Sequence, residues 1–189
     1  MKINFIEICF TGHRPDKLPN GDIWSGPKNK RLMKFIEKQI IDLLDTYENI
    51  KVTVGGALGI DQMAFAICYK LKEKYPNRIT IHIAIPFDSE IQTGKWTEKQ
   101  KQRYYRHIEL CDKLIQVDKQ LGYQYLGCGF HIRKLQLRNE YMVNNSDIVI
   151  AVWDGTTGGT YNCIRYAREG NKKILFIDPN TLQTKKENF

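Results

Sequence analysis

The chain has 189 residues and a mass of 22.1 kDa, with 42% hydrophobic and 26% charged residues, which suits one soluble globular domain able to bury a core without disulfide or metal staples. Five dispersed cysteines (Cys9, Cys68, Cys111, Cys128, Cys163) with no Cys-x-x-Cys pair argue against a disulfide framework and a zinc knuckle, and no apolar run approaches the ~20 residues of a membrane span. The formal charge of +8, from 29 Lys+Arg against 21 Asp+Glu, points to an anionic partner: a nucleotide, a nucleic acid or another phosphate carrier.

Ile3 to Phe10 is an apolar, β-branched-rich run that predicts a strand, ending at Thr11-Gly12. A loop rich in Pro, Gly and Asn follows, and Pro27 suits a first helical position. Apolar residues at 32, 35, 36, 40, 43, 44 and 47 form a helical stripe. Ile50 to Val54 predicts a second strand, interrupted by Gly55-Gly56-Ala57-Leu58-Gly59, and apolar positions 60, 63, 64, 67, 68 and 71 predict the next helix. Ile79 to Ile85 predicts a third strand, halted by Pro86. Residues 97–110 read as a helix, Leu114 to Val117 as a short strand, and the glycine-bearing 119–131 as a loop or lid. Residues 133–145 read as helical and Asp147 to Trp153 as a strand with an apolar centre. Gly155 to Gly159 breaks that strand, Thr160 to Glu169 is helical, and Lys173 to Ile177 is the last strand expected, with residues 179–189 a frayed polar tail.

Strands alternating with helices predict an α/β fold: a Rossmann-like, doubly wound, mostly parallel sheet with helices on both faces, in a single domain over residues 1–178. Glu7 interrupts the first apolar run and no cleavage site follows, so a cytoplasmic chain without a secretory signal is expected.

In such a sheet, ligands sit beyond the carboxyl ends of the strands. Thr11-Gly12-His13-Arg14, Gly55 to Asp61, Pro86-Phe87 and Trp153 to Thr160 all fall there. Two of these segments are glycine turns feeding helices, where exposed N–H groups and the helix dipole favour an anion. Neither is a Walker loop or a full G-x-G-x-x-G fingerprint. Arg14 suits a phosphate or carboxylate. Asp61, in the first helical turn, reads either as a dipole partner or as a ribose acceptor. Asp154 reads either as a turn former or as a ligand contact. Arg138-Asn139 precedes the last glycine loop closely enough to reach the same pocket. Residues 91–140 hold ten Lys/Arg and five Asp/Glu, and Lys95-Trp96 through Arg103-Tyr104-Tyr105-Arg106-His107 interleaves bases with aromatics. That pattern fits either single-stranded nucleic acid or, as the favoured reading, a helix with one aromatic face buried. Cys128 and His131 have the spacing of a metal pair, but no second pair exists, so no metal is expected.

Thr11-Gly12-His13-Arg14, Gly55-Gly56-Ala57-Leu58-Gly59-Ile60-Asp61, Arg138 to Val143, and Trp153-Asp154-Gly155 with Gly158-Gly159-Thr160-Tyr161-Asn162 together resemble the SLOG superfamily, and within it the small bacterial and phage YpsA/YoqJ-like branch. The resemblance runs from Phe10 to Ile177. It implies a Rossmann-like fold, often homodimeric, that binds nucleotides or nucleotide-derived ligands. LOG-type members release a base from a nucleoside monophosphate, others sense NAD-derived signals, and DprA-type members bind single-stranded DNA. Arg138 matches the LOG arginine near the phosphate, whereas the LOG catalytic glutamate position falls on Arg165, which cannot serve as a base. The resemblance therefore implies binding of a nucleotide or ADP-ribose-type ligand without cofactor, by a sensor or a phage-type sequestering protein. Its binding set would be Gly12, His13, Arg14, Gly55, Gly56, Ala57, Gly59, Asp61, Arg138, Asn139, Asp154, Gly158, Gly159, Thr160 and Asn162. The alternatives are N-glycoside hydrolysis or transfer, for which Asp61, Asp154 and His13 are the catalytic candidates, and DNA binding. A homodimer or higher homo-oligomer is expected.

Overall fold

A computed structural model describes residues 3–127 and 129–189. Its strands are β1 (Ile3–Gly12), β2 (Tyr47–Val54), β3 (Ile79–Ile85), β4 (Lys113–Gln116), β5 (Ile148–Val152), β6 (Lys173–Ile177) and β7 (Thr184–Glu187). They form one sheet in the order β4-β3-β2-β1-β5-β6-β7, parallel throughout except for the β6–β7 pair. The helices are α1 (Pro27–Thr46), α2 (Ile60–Lys74), α3 (Ser89–Thr93), α4 (Glu98–Leu110), α5 (Val117–Gln120), α6 (Ile132–Asn144) and α7 (Gly159–Glu169).

The central strands are apolar on both sides because each side meets helices. Ile8 and Phe10 of β1 join Ile150 and Val152 of β5 in one core, under the α1 and α2 residues Leu32, Ile36, Ile40, Leu44, Met63 and Phe65. Cys9, Val149 and Ala151 face the other way and pack against Met142, Val143, Cys163, Ile164 and Ala167 of α6 and α7. The period-2 geometry of a strand thus splits the sequence between two cores. α1 buries Leu32, Ile36, Ile40 and Leu44, one residue per turn along a single stripe.

The expectation of a frayed tail after residue 178 is corrected. Thr184–Glu187 pairs antiparallel with β6, Thr184 opposite Ile177 and Glu187 opposite Ile174. The 119–131 stretch, read as loop or lid, carries the end of α5 and a 3-10 turn at Tyr123–Leu126. The buried Lys134 ammonium pins it, donating to Asp118 and to the Gly127 carbonyl at 2.7 Å each. Among the described residues no helix is long and apolar enough to cross a membrane.

Candidate functional site

The strand order reverses between β1 and β5, and β1 is hydrogen-bonded to both β2 and β5. A cleft opens at such a switch point, outside the carboxyl ends of the strands. Here it is a cavity of about 330 Å³ walled by the post-β1 segment (Gly12, His13, Arg14, Lys17), the start of α2 (Ala57, Asp61), α6 (Arg138, Asn139, Met142) and the loop into α7 (Thr156 to Thr160).

Each wall is fixed by its own contacts. His13 N–H donates to the Val152 carbonyl at 3.3 Å, and Ile60 N–H donates to the His13 carbonyl at 3.2 Å, so the post-β1 turn is stitched to β5 and α2. Gly59 has a φ of +93°, and a side chain there would also overlap the His13 carbonyl, so only glycine permits this approach. His13 Nε2 lies 2.7 Å from Asp154 Oδ1 and 3.0 Å from the Asp154 backbone nitrogen. Burial alone would raise the Asp154 pKa, but the Thr156 hydroxyl and N–H, with His13, hold it down at about 2. Lys17 reaches across the mouth to Thr156 Oγ1 (2.8 Å) and the Thr157 carbonyl (2.9 Å).

Arg138 dominates the electrostatics. It is only 8% exposed, and its guanidinium lies over the backbone of Gly55, where any Cβ would overlap Nη1. Its Nη1–H donates to Asp61 Oδ2 at 3.3 Å, long for a charge-assisted bond, and its buried Nε has no partner. Asp61 Oδ2 also accepts from Ala57 N–H at 3.2 Å. Protein packed around Arg14 lowers its pKa below the ordinary arginine value; Asp61 raises it and the Arg138 charge lowers it further. The Asp61 carboxylate thus pairs with Arg138 and acts on Arg14 through its charge alone, beside an open cavity.

The two glycine turns differ. The turn before α2 is largely satisfied from within, by Asp61 and His13. The turn before α7 faces the cavity: a side chain at Gly159 would meet nothing within 4 Å, and one at Gly158 only Lys17 Nζ at 3.9 Å. The first intrahelical bond there is Asn162 N–H to the Gly158 carbonyl, which leaves the preceding N–H groups without an intrahelical acceptor.

A second cavity of about 500 Å³ adjoins the first and shares Arg14, Ala57, Leu135 and Arg138 with it. Gly55 lines this second cavity, along with Pro86, Phe87, Ile91, Gln92, Trp96 and Phe130.

Gly12, His13, Arg14, Ala57, Asp61, Arg138, Asn139, Gly158, Gly159 and Thr160 therefore converge on one cleft, with Asp154 behind His13. Gly56 and Gly59 line neither cavity. Asn162 faces a groove between α6 and α7 with Arg133, Glu140 and Arg165. Arg165 is 61% exposed and 3.8 Å from Glu169, so its charge does not border the cleft. The sequence reading gave no role to Lys17, Thr156, Thr157 or Gln92, although both threonines fall inside the Trp153 to Thr160 segment it placed at the strand ends.

The aromatic-basic stretch is a helix with a buried face. Tyr104 and His107 are buried, Arg103 is bound to Asp22 (2.7 Å) and Gln62 (2.6 Å), and Arg106 is paired with Glu109 at 3.2 Å. Burial pushes the Cys163 thiol up to about 11, far from a nucleophile's range. Among the described residues no cluster of three metal-ligating side chains exists. Cys128, half of the suggested metal pair, lies outside the described residues; His131 caps α6, accepting from Arg133 N–H at 3.1 Å.

The model of the YspA SLOG family matches residues 8–182. The chain belongs to the YspA SLOG family. This YspA SLOG protein is 38% identical to the SPbeta prophage-derived protein YoqJ of Bacillus subtilis, over 75% of its own length and 85% of that protein. It is 28% identical to a UPF0398 protein of Halalkalibacterium halodurans, over 68% of the chain and 62% of that protein, and 24% identical to one of Lactobacillus acidophilus, over 96% and 94%. Its fold is similar to DNA processing protein A (DprA) of Streptococcus pneumoniae, with a TM-score of 0.61 and 16% identity, covering 95% of this chain but only 52% of that one. It is also similar to DprA of Helicobacter pylori, which binds single-stranded DNA, with a TM-score of 0.54, 13% identity and coverage of 92% and 65%.

Proposed function

We propose that this YspA SLOG protein binds a phosphate-bearing nucleotide or ADP-ribose-type ligand in the cleft between β1 and β5, intact, as a sensor or sequestering protein. The observation that carries the reading is the Arg138 guanidinium, buried, loosely held by Asp61 and with an orphan Nε. A buried charged donor without partners is costly, and an anion supplies them. The open N–H groups of α7 and the Lys17 ammonium add to the same cavity, where an oxyanion gains from dipole and charge together. Asn139, which lines the cleft, would orient the remainder of the ligand, and Asp154 would act indirectly by holding His13.

Turnover of an N-glycosidic bond needs an unengaged carboxylate beside the anomeric carbon. Asp61 Oδ2 is engaged by Arg138 and Ala57 N–H, and Asp154 Oδ1 by His13 and Thr156. Positive charge around the cleft also opposes an oxocarbenium-like transition state.

The test is calorimetric titration with AMP, ADP-ribose, NAD and cyclic ADP-ribose isomers, with chromatography for released base. We expect binding without base release, and Arg138→Ala to weaken binding by about 1.5–3 kcal/mol as a charged hydrogen bond is lost. Rapid base release that disappears in Asp61→Asn or Asp154→Asn would replace this reading with hydrolysis.

A further inference from the structure

We infer that the outward face of α1 is a docking surface for the phosphate backbone of duplex nucleic acid. The inference is independent of the cleft between β1 and β5. The first half of α1 carries Lys28, Lys30, Arg31, Lys34 and Lys38, and its first acid is Glu37. All five cations are exposed. Among the described residues none of them is in an ion pair, Glu37 being paired with Lys70 of α2 at 3.6 Å. By helical geometry Lys30, Arg31, Lys34 and Lys38 fall within an arc of about 100° and span about 12 Å of the axis. That arc lies opposite the buried stripe of Leu32, Ile36, Ile40 and Leu44.

Helix stability does not select this arrangement. The helix dipole favours acids in the first turn and bases in the last, yet α1 has no acid in its first turn and no base in its last. Lys28 and Lys30 occupy the first turn, and the exposed Asp42 and Asp45 lie toward the C-terminus. The pairs Lys30–Lys34 and Lys34–Lys38, four residues apart, also repel. Solubility would be served equally by the same residues in reverse order. A partner that brings negative charge to this half of the helix removes both costs at once.

The chemistry of the stripe narrows the partner. A lone nucleotide is too short to meet cations spread over about 12 Å, whereas a duplex presents one charge per roughly 1.7 Å of its axis. A single strand stacks its bases on exposed rings, and Phe35, the one aromatic residue of α1, packs against the core instead. Protein interfaces are centred on apolar and aromatic anchors and are depleted in lysine, whereas four of these five residues are lysines. A lysine is a point charge on a flexible stem, which holds a phosphate without reading a base. Lys28 and Arg31 also rim a recess of about 110 Å³ against Pro179 and Asn180, so the stripe ends in a hollow.

The test is fluorescence anisotropy with a labelled duplex of mixed sequence, and with one of its strands alone, over a series of salt concentrations. Wild type should bind the duplex at low salt, more tightly than the strand. Lys30→Gln/Lys34→Gln should lower duplex affinity at low salt at least about tenfold and flatten the slope of log affinity against log salt by about 2. AMP affinity should stay as in wild type. The variant should melt no lower than wild type, because it removes two cations from the wrong half of the helix at little cost in helix propensity. Lys99→Gln/Lys113→Gln, with the same change in net charge on exposed residues elsewhere, should leave the duplex affinity within about threefold. No duplex binding at low salt, an unchanged salt slope in Lys30→Gln/Lys34→Gln, or an equal loss in Lys99→Gln/Lys113→Gln overturns the inference. A lower melting temperature for Lys30→Gln/Lys34→Gln also overturns it, since the cations would then serve the helix. Tighter binding to the strand than to the duplex, or sedimentation with phosphatidylserine vesicles in the absence of duplex binding, gives the stripe to a different partner and overturns the duplex reading.

Discussion

Gly55 and Arg138 work as a pair. The glycine is required because the guanidinium occupies the space where a side chain would begin. Gly55 is not among the glycines with positive φ, so Gly55→Ala should fold but displace the Arg138 guanidinium. We expect it to lower phosphate affinity about as much as Arg138→Ala, roughly tenfold or more, read by calorimetry. Glycine-rich composition alone suggested an anion on this turn; the reason for this glycine became visible only when a side chain from α6 arrived over it. Arg14, Asp61 and Arg138 were legible because they fall at strand ends or in a motif. Lys17 and Gln92 were not, since a lone lysine in a Pro/Asn-rich loop and a lone glutamine carry no periodic signal. His107 gives a second prediction at this scale. Burial, then the Arg103 charge, pulls its pKa down to about 4, and its ring stacks on Phe65 at 4.3 Å. The unfolded chain binds this proton near pH 6.5 and the folded chain near 4, so the stabilisation is complete above pH 6.5 and is lost as pH falls from 6.5 to 4, by at most about 3 kcal/mol. Urea unfolding at pH 7 and pH 4 should show this loss, and His107→Phe should flatten it.

Among the elements, β5 and β6 were readable because burial on both faces writes a nearly unbroken apolar run into the sequence, and β1, β2 and β3 because β-branched apolar residues dominate them even with Glu7, Lys51, Thr53, Thr80 and His82 interspersed. β7 (Thr-Lys-Lys-Glu) was not, because an edge strand with exposed side chains leaves no such mark. Its contribution is backbone pairing to β6 and the Arg168–Glu187 ion pair, with Arg168 Nε donating to Glu187 Oε1 at 2.8 Å. Both side chains are partly exposed, so the pair itself adds little. Deleting residues 184–189 should cost about 1–2 kcal/mol, through lost pairing and the uncovering of β6, and lower the urea midpoint without altering AMP affinity. The short α3 and α5 were missed for a different reason: at five and four residues they are too brief for a helical period to show.

For the whole molecule, the +8 charge guarantees some attraction to any polyanion. The bases of α4 that looked suited to a strand are largely spoken for, Arg103 by Asp22, Arg106 by Glu109 and Lys101 by Glu98. Single-stranded DNA should therefore bind weakly, with log affinity falling linearly with log salt and little left near physiological ionic strength. Fluorescence anisotropy with labelled oligonucleotides checks this; tight, length-dependent binding that survives there and is lost in Trp96→Ala would place a strand in the apolar cavity.

The two margins of the sheet also govern how copies of this chain meet. At one end β4 is only four residues long, offering a short template. At the other, β7 presents Lys185 and Lys186 in its middle. Two molecules approaching β7 to β7 would bring ammonium groups face to face, and the docking of one sheet onto another in a continuous ribbon would be repelled before its hydrogen bonds could form. Any homodimer is thereby steered away from strand addition and toward the helical flanks, and the protein gains a built-in resistance to fibre-like stacking at high concentration.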